Sequence, residues 1–242
     1  MFKIFSKLSS SIKNPFLSAI ILCAGSSTRF GENKQRAMIG EKTVAERTLE
    51  VFQASEAVRE IILVVPKEDI QEYQDLIVMN DFKKVSAVVT GGETRQASAM
   101  RGFKHVSEKA KLVAIHDGAR CLITTEIIEE VYRSAIENRC ACAGTKVTDT
   151  IKLVDDDDFV KRTVDREYLW SIQTPQIFDR DIYAVSVSKA IKDGIIVTDD
   201  CMLVEHAKFK VKLVECGKEN IKITHKSDII LSEHILKNRS EE

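Results

Sequence analysis

The chain's 242 residues carry 36 Lys plus Arg against 37 Asp plus Glu, a net charge of −1, with 44% hydrophobic and 30% charged residues. That mixture supports a packed core and excludes disorder as the default state. The charge balance excludes nucleic-acid binding through overall charge, though not a local basic pocket, and the length suits one compact domain or two small ones.

Lys3, Lys7 and Lys13 precede the first acidic residue, Glu32, among Ser, Phe and Ile. Residues 1–16 therefore read as an N-terminal extension, loosely docked or a short organelle-targeting segment, without the apolar stretch of a secretory signal. No apolar run approaches the roughly 18 residues of a membrane helix, so no membrane partner is expected. The apolar run Ala19 to Ala24 predicts a buried parallel strand. Helical spacing follows over 44–55, then a strand over 61–65 stopped by Pro66, a helix over 68–77 and a strand over 85–90. A helix over 93–106, a strand over 112–115 and a helix over 124–138 opened by a Thr cap come next. This alternation predicts an α/β fold, a Rossmann-like doubly wound, mostly parallel sheet whose strand ends line one ligand-binding edge.

The pattern changes near residue 144. Two β-like runs, 147–154 and 159–164, flank Asp155 to Asp158. They read as a hairpin with a solvated acidic tip, an arm projecting from the sheet. Beyond it the spacing predicts a strand ending at Phe178, helices over 179–192 and 198–207, a strand over 211–214, a short strand over 221–224, and a closing helix over 226–238 capped by Ser227. The expected organisation is one domain over 17–238, with the arm at about 147–170. The six cysteines (23, 121, 140, 142, 201, 216) form no C-x-x-C pair. They read as buried reduced thiols in a cytoplasmic protein, with Cys140 and Cys142 as small core residues on one strand.

Three loops at predicted strand ends carry chemistry. Residues 23–35 place Ala24, Gly25, Arg29 and Lys34 after the first strand. Small residues there open backbone N–H groups to a phosphate, and two cations suit a triphosphate; an exposed loop with ordinary surface charges is the alternative. The loop matches neither the P-loop nor G-x-G-x-x-G. Thr90-Gly-Gly-Glu-Thr-Arg-Gln-Ala-Ser98 allows a tight turn beside a flat base, with Glu93 and Ser98 on its edge; the alternative is a glycine turn before a helix. In His116-Asp-Gly-Ala-Arg120, Asp117 is placed to meet a ribose hydroxyl or a magnesium ion, and Arg120 to grip a phosphate. His116 reads as a packed strand-end residue, since no G-x-S-x-G elbow accompanies it.

Together the three loops resemble the nucleotide-sugar-type cytidylyltransferases. Further matches are Asp149-Thr150, Val164-Asp-Arg166, Leu169-Trp170, Gln173-Thr-Pro-Gln176, Thr198-Asp-Asp200 and Asn220-Ile-Lys-Ile-Thr224. With them, residues 17 to 238 resemble the 2-C-methyl-D-erythritol 4-phosphate cytidylyltransferase family of the non-mevalonate isoprenoid pathway. The resemblance implies a β-arm that interlocks a homodimer, so that Thr150 and Arg166 act in trans. It implies attack by a phosphomonoester oxygen on the α-phosphate of CTP, with release of pyrophosphate. Arg29 and Lys34 match the residues that stabilise the transition state, and Lys222 and Arg166 those that position the polyol phosphate. Ala24, Gly25, Gly92, Glu93, Ser98 and Asp117 match the nucleotide side; Asp117, Arg120, Thr150 and Thr174 match the acceptor side. Mg²⁺ is expected, bound mainly through the CTP phosphates. The chain departs from the usual pattern at Ser27, where glycine is frequent, at Arg36, where an aromatic is common, and at Cys121, where proline often stands. A ribitol 5-phosphate cytidylyltransferase is the nearest alternative. A non-catalytic nucleotide-binding protein is the alternative of another class, and a dehydrogenase lacks its glycine fingerprint.

Overall fold

The computed structural model describes residues 14–25 and 30–241. In chain order the elements are β1 (Leu17–Leu22), β2 (Met38–Ile39), β3 (Lys42–Thr43), α1 (Val44–Ala54), β4 (Val58–Val65), α2 (Ile70–Met79), β5 (Val85–Thr90), α3 (Arg95–Phe103), β6 (Leu112–Asp117) and α4 (Thr125–Asn138). Then follow β7 (Cys140–Lys146), β8 (Ile151–Val154), β9 (Val160–Val164), β10 (Trp170–Asp179), α5 (Arg180–Asp193), α6 (Asp200–His206), β11 (Lys212–Glu215) and α7 (Ser227–Glu241).

The seven-stranded sheet has the order β11-β7-β10-β6-β1-β4-β5. Its strands run parallel except β10, which is antiparallel to both β6 and β7. β1 lies between β6 and β4, so the chain winds first to one side and then to the other, and a crevice opens at the C-terminal ends of β1 and β6. All six residues of β1 are buried, as a strand covered on both faces requires. Leu49 and Phe52 of α1, Tyr73 of α2, and Ile128 and Val131 of α4 fill one face. Ala99 of α3, Tyr183 and Val187 of α5, and Leu203 and Val204 of α6 fill the other, with Cys140 and Cys142. All six cysteines are buried thiols. Among the described residues no helix is long and apolar enough to cross a membrane.

Local chemistry sets the element ends. A capping box joins Thr43 and Glu46 at the start of α1, and Thr124 caps α4 by accepting the Ile127 N–H. The helix expected over 93–106 is shorter, because Thr94 is its cap and accepts the Ala97 N–H at 3.0 Å. The stretch expected as a helix over 68–77 opens with a separate one-turn helix, Lys67–Asp69, and then runs as α2. The short strand expected over 221–224 does not form as a strand; the Ile223 N–H donates to the Ala119 carbonyl (2.8 Å) and its side chain is buried. Ser227 is the first residue of α7, and the Asp228 carboxylate instead accepts the N–H groups of Thr224 and His225 at 2.7 and 2.8 Å. The arm is a separate two-stranded sheet, β8 with β9, and the Asp155 carboxylate closes its tip by accepting the N–H groups of Asp157 and Phe159.

Candidate active site

The loop after β1 turns at Cys23, whose N–H donates to the Val64 carbonyl at 2.7 Å. Ala24 and Gly25 follow. Ser27 and Arg29, the latter expected to face a triphosphate, lie outside the described residues. The chain returns in a one-turn helix, Lys34–Arg36, with Gln35 buried and Lys34 on the cleft. The β5 loop packs directly on this segment. A Cβ on Gly91 would collide with the Ala24 Cβ, and one on Gly92 would stand 2.5 Å from the Ala97 Cβ, so both positions require glycine. The Gly92 N–H donates to the Ser98 hydroxyl at 3.0 Å, and Arg101 donates to the Gly91 carbonyl at 2.6 Å. Glu93 is left exposed on the rim.

At the end of β6 the Asp117 carboxylate is buried between two cations. Arg95 Nε donates to one oxygen at 2.9 Å, and Lys222 Nζ to the other at 2.6 Å. Burial alone raises a carboxyl pKa; here Arg95 and Lys222 outweigh it and hold Asp117 well below the ordinary range, so it stays ionised. Arg95 also donates to Asp200 at 2.6 Å, and the Tyr183 hydroxyl donates to the other Asp200 oxygen at 2.7 Å. Burial lowers the Arg95 pKa, but Asp200 and Asp117 more than restore it. A chain of charges therefore runs from buried α5 through Asp200, Arg95 and Asp117 to Lys222 in the cleft. Gly118 is crowded by Cys23, which keeps the β6 end close to the β1 loop.

Two adjoining hollows, of about 290 and 730 Å³, share Arg95, Asp117 and Lys222. Ala24, Gly25, Lys34, Glu93 and Ser98 line the smaller, and Arg120 and Thr174 the larger. Arg120 donates to the carbonyls of Asn220 (2.7 Å) and Ile172 (3.3 Å). Thr174 is buried, its hydroxyl accepting the Asp117 N–H at 3.1 Å and lying 3.0 Å from His116 Nδ1. It thus braces Asp117 from behind. His116 is fully buried against Phe52, and burial pulls its pKa down to about 3, so it is a neutral packed residue. Thr150 and Arg166 do not line either hollow; both are exposed on the arm, and Arg166 donates to the Thr148 carbonyl.

Two features lay beyond the sequence reading. Arg95 and Asp200 sit inside recognised motifs, yet their pairing across 105 residues has no local signal. Gln176 is the other, a buried amide whose oxygen accepts the N–H groups of Asp200 and Cys201 and so fixes the start of α6. The two described departures from the family pattern, Arg36 and Cys121, find local partners. Arg36 pairs with Asp69 and Glu72, and buried Cys121 packs with Phe30, Leu122 and Ile223.

Residues 17–238 match the family model described as IspD, 2-C-methyl-D-erythritol 4-phosphate cytidylyltransferase. The chain is 41% identical over 224 residues to the 2-C-methyl-D-erythritol 4-phosphate cytidylyltransferase of Caldanaerobacter subterraneus subsp. tengcongensis, covering 91% of this chain and 99% of that one. It is 39% identical over 227 residues to that of Alkaliphilus oremlandii, covering 93% and 96%. The crystal structure of 4-diphosphocytidyl-2C-methyl-D-erythritol synthase from Anaerococcus prevotii superposes with a TM-score of 0.84 at 33% identity, over 93% of this chain and 98% of that one. Sequence, sheet order and relatives thus agree, and the chain belongs to the 2-C-methyl-D-erythritol 4-phosphate cytidylyltransferase family.

Proposed function

We propose that the chain joins CTP to 2-C-methyl-D-erythritol 4-phosphate, forming 4-diphosphocytidyl-2-C-methyl-D-erythritol and pyrophosphate. The observation that carries this reading is the convergence of Lys34, Asp117 and Lys222 on one cleft, beside Ala24, Gly25, Glu93 and Ser98. The acceptor's phosphomonoester oxygen attacks the α-phosphorus of CTP. A new P–O bond forms as the bond to the β-phosphate oxygen breaks, and pyrophosphate leaves. No base is needed, because the attacking phosphate is already anionic with a second pKa of about 6. The barrier is electrostatic: two anions meet, and charge builds on the α-phosphate.

Lys34 lies on the nucleotide side, where its ammonium meets that charge; Arg29 joins it in this reading. Lys222 borders both hollows and grips the acceptor phosphate, held in place by Asp117 until substrate arrives. Ala24, Gly92, Glu93 and Ser98 frame the base. Arg120 faces the acceptor side, and Thr174 supports it through Asp117. The donor chemistry fits magnesium that arrives with the triphosphate. Asp117 has both oxygens occupied by cations, and among the described residues no cluster of three His, Cys, Asp or Glu forms a cage. Bound in this way, Mg²⁺ would neutralise charge on the departing pyrophosphate.

Thr150 and Arg166 complete the cleft of a second copy in this reading. Their place at the base of an exposed hairpin carrying Phe159 and Val160, both open to solvent, supports it. The buried free thiols fit a cytoplasmic setting. The test is pyrophosphate release from CTP and Mg²⁺ with methylerythritol phosphate, run beside ribitol 5-phosphate and the other nucleoside triphosphates. Release with methylerythritol phosphate alone is expected; release only with ribitol phosphate overturns the acceptor assignment.

A further inference from the structure

Lys34 belongs to a helix of one turn, Lys34–Arg36. A single 3₁₀ turn has poor hydrogen-bond geometry and little stability of its own. Something outside it must fix where Lys34 points. The structure supplies one buried carboxylate for that purpose, on a different connection. Asp69 ends the one-turn helix Lys67–Asp69 after β4 and is only 5% exposed. Its Oδ2 accepts from Asn33 Nδ2 at 3.0 Å, and its Oδ1 accepts from Arg36 Nη2 at 2.6 Å. Asn33 precedes Lys34 and Arg36 follows it by two, so one side chain holds both flanks of the lysine.

The hold passes into the backbone. Asn33 Oδ1 accepts the Gln35 N–H at 3.1 Å, and the Ala37 N–H donates to the Lys34 carbonyl at 3.2 Å. Arg36 is tied a second time, to Glu72 on α2. Charge-assisted bonds to a buried carboxylate are stronger and more directional than neutral ones. We infer that Asp69, acting through Asn33 and Arg36, is a positioning residue that sets Lys34 against the triphosphate. The inference rests on the proposed function for the role of Lys34, but the bracket itself is geometric.

If the bracket works through Lys34, removing it harms turnover only while Lys34 is present. The turnover number and KM are measured for Asp69→Ala, Arg36→Ala, Lys34→Ala and the Lys34→Ala/Asp69→Ala pair, in the full chain. Asp69→Ala is expected to lower kcat about 10- to 100-fold, the scale of a small misplacement of a reacting group. In the Lys34→Ala background the same change is expected to cost less than about 3-fold, the signature of residues acting as one unit. An equal loss in both backgrounds, or no loss in the first, overturns the inference.

A second reading needs no turnover: the rate at which an amine-reactive reagent labels Lys34, followed by peptide mass spectrometry. It is expected to change several-fold in Asp69→Ala while the circular dichroism spectrum is retained. An unchanged rate overturns the bracket. Should the wild-type chain release no pyrophosphate, the proposed function fails, and the labelling rate still decides the bracket. If Asp69→Ala does not fold, Arg36→Ala, altered at a half-exposed side chain, carries both measurements with the same outcomes.

Discussion

Lys222 places its ammonium 2.6 Å from the carboxylate of Asp117, 105 residues earlier in the chain. The pair joins the end of a central strand to a segment with no regular structure of its own. In the proposed reaction Asp117 would therefore hold that cation ready for the acceptor phosphate. Replacing Lys222 with Ala removes the charge while Arg95 still satisfies Asp117. Lys222→Ala and Lys34→Ala are each expected to cut turnover by at least about 100-fold, the usual cost of one transition-state donor, with the fold retained. Pyrophosphate release beside circular dichroism checks this, and near-normal turnover in both would refute the assigned roles.

Arg95 is a test of structure as much as of chemistry. It bridges Asp117 and Asp200, and the Asp200 side chain is 1% exposed. Arg95→Met would leave the Asp200 carboxylate with the Tyr183 hydroxyl but no countercharge. Breaking a buried pair by removing one partner is strongly destabilising; a loss of about 3 kcal/mol is expected, at the lower end because part of Arg95 reaches solvent. Urea unfolding without nucleotide measures it.

The neutral state of His116 gives stability a direction in pH. Its folded pKa is about 3, far below the ordinary histidine value, because burial disfavours the charged ring. Below about pH 6.5 the unfolded chain binds a proton that the folded chain refuses, so stability falls as pH falls, by about 1.4 kcal/mol per pH unit, until the folded value is reached. Asp117, held low, adds its own loss only at more acid pH, since its contribution is present above about pH 3.9. His116→Asn should flatten the slope between pH 6.5 and 4.5. Denaturant midpoints across that window decide it.

Complementation between subunits tests the arm. If Arg166 serves the cleft of a second copy, Arg166→Ala and Lys34→Ala proteins are each inactive alone. Unfolded and refolded together, they should recover about a quarter of wild-type activity, because half of the dimers are mixed and each has one intact site. No recovery, together with a mixed dimer demonstrated by sedimentation, would place Arg166 in its own chain's cleft.

Strand ends and loops were legible because their signals are local. The buried run at β1, the Gly91-Gly92 turn and the acidic hairpin tip each follow from neighbouring residues. The Thr94 cap was missed because Glu93 also suits a helix start, and only backbone geometry decides between them. The strand expected over 221–224 failed for a tertiary reason: Ile223 finds a buried site and one carbonyl, but no partner strand. The Asp200–Arg95–Asp117 relay was invisible for the same reason, since its members meet only when α3, β6 and α6 are packed. Arg36 stands where the family commonly has an aromatic, and its partner Asp69 lies 33 residues away with no local signal.

β10 leaves the base of the arm at Trp170, passes Thr174 and Gln176 behind the cleft, and ends at Asp179, which caps α5. One strand, whose pairing with β7 shifts register between Ile172 and Gln176, thus serves as lever, backstop and anchor. Force applied to the arm is delivered along peptide bonds to the hydroxyl that braces Asp117 and to the amide that fixes α6. An arm clasped by a second copy would load that lever, and a free arm would leave it slack.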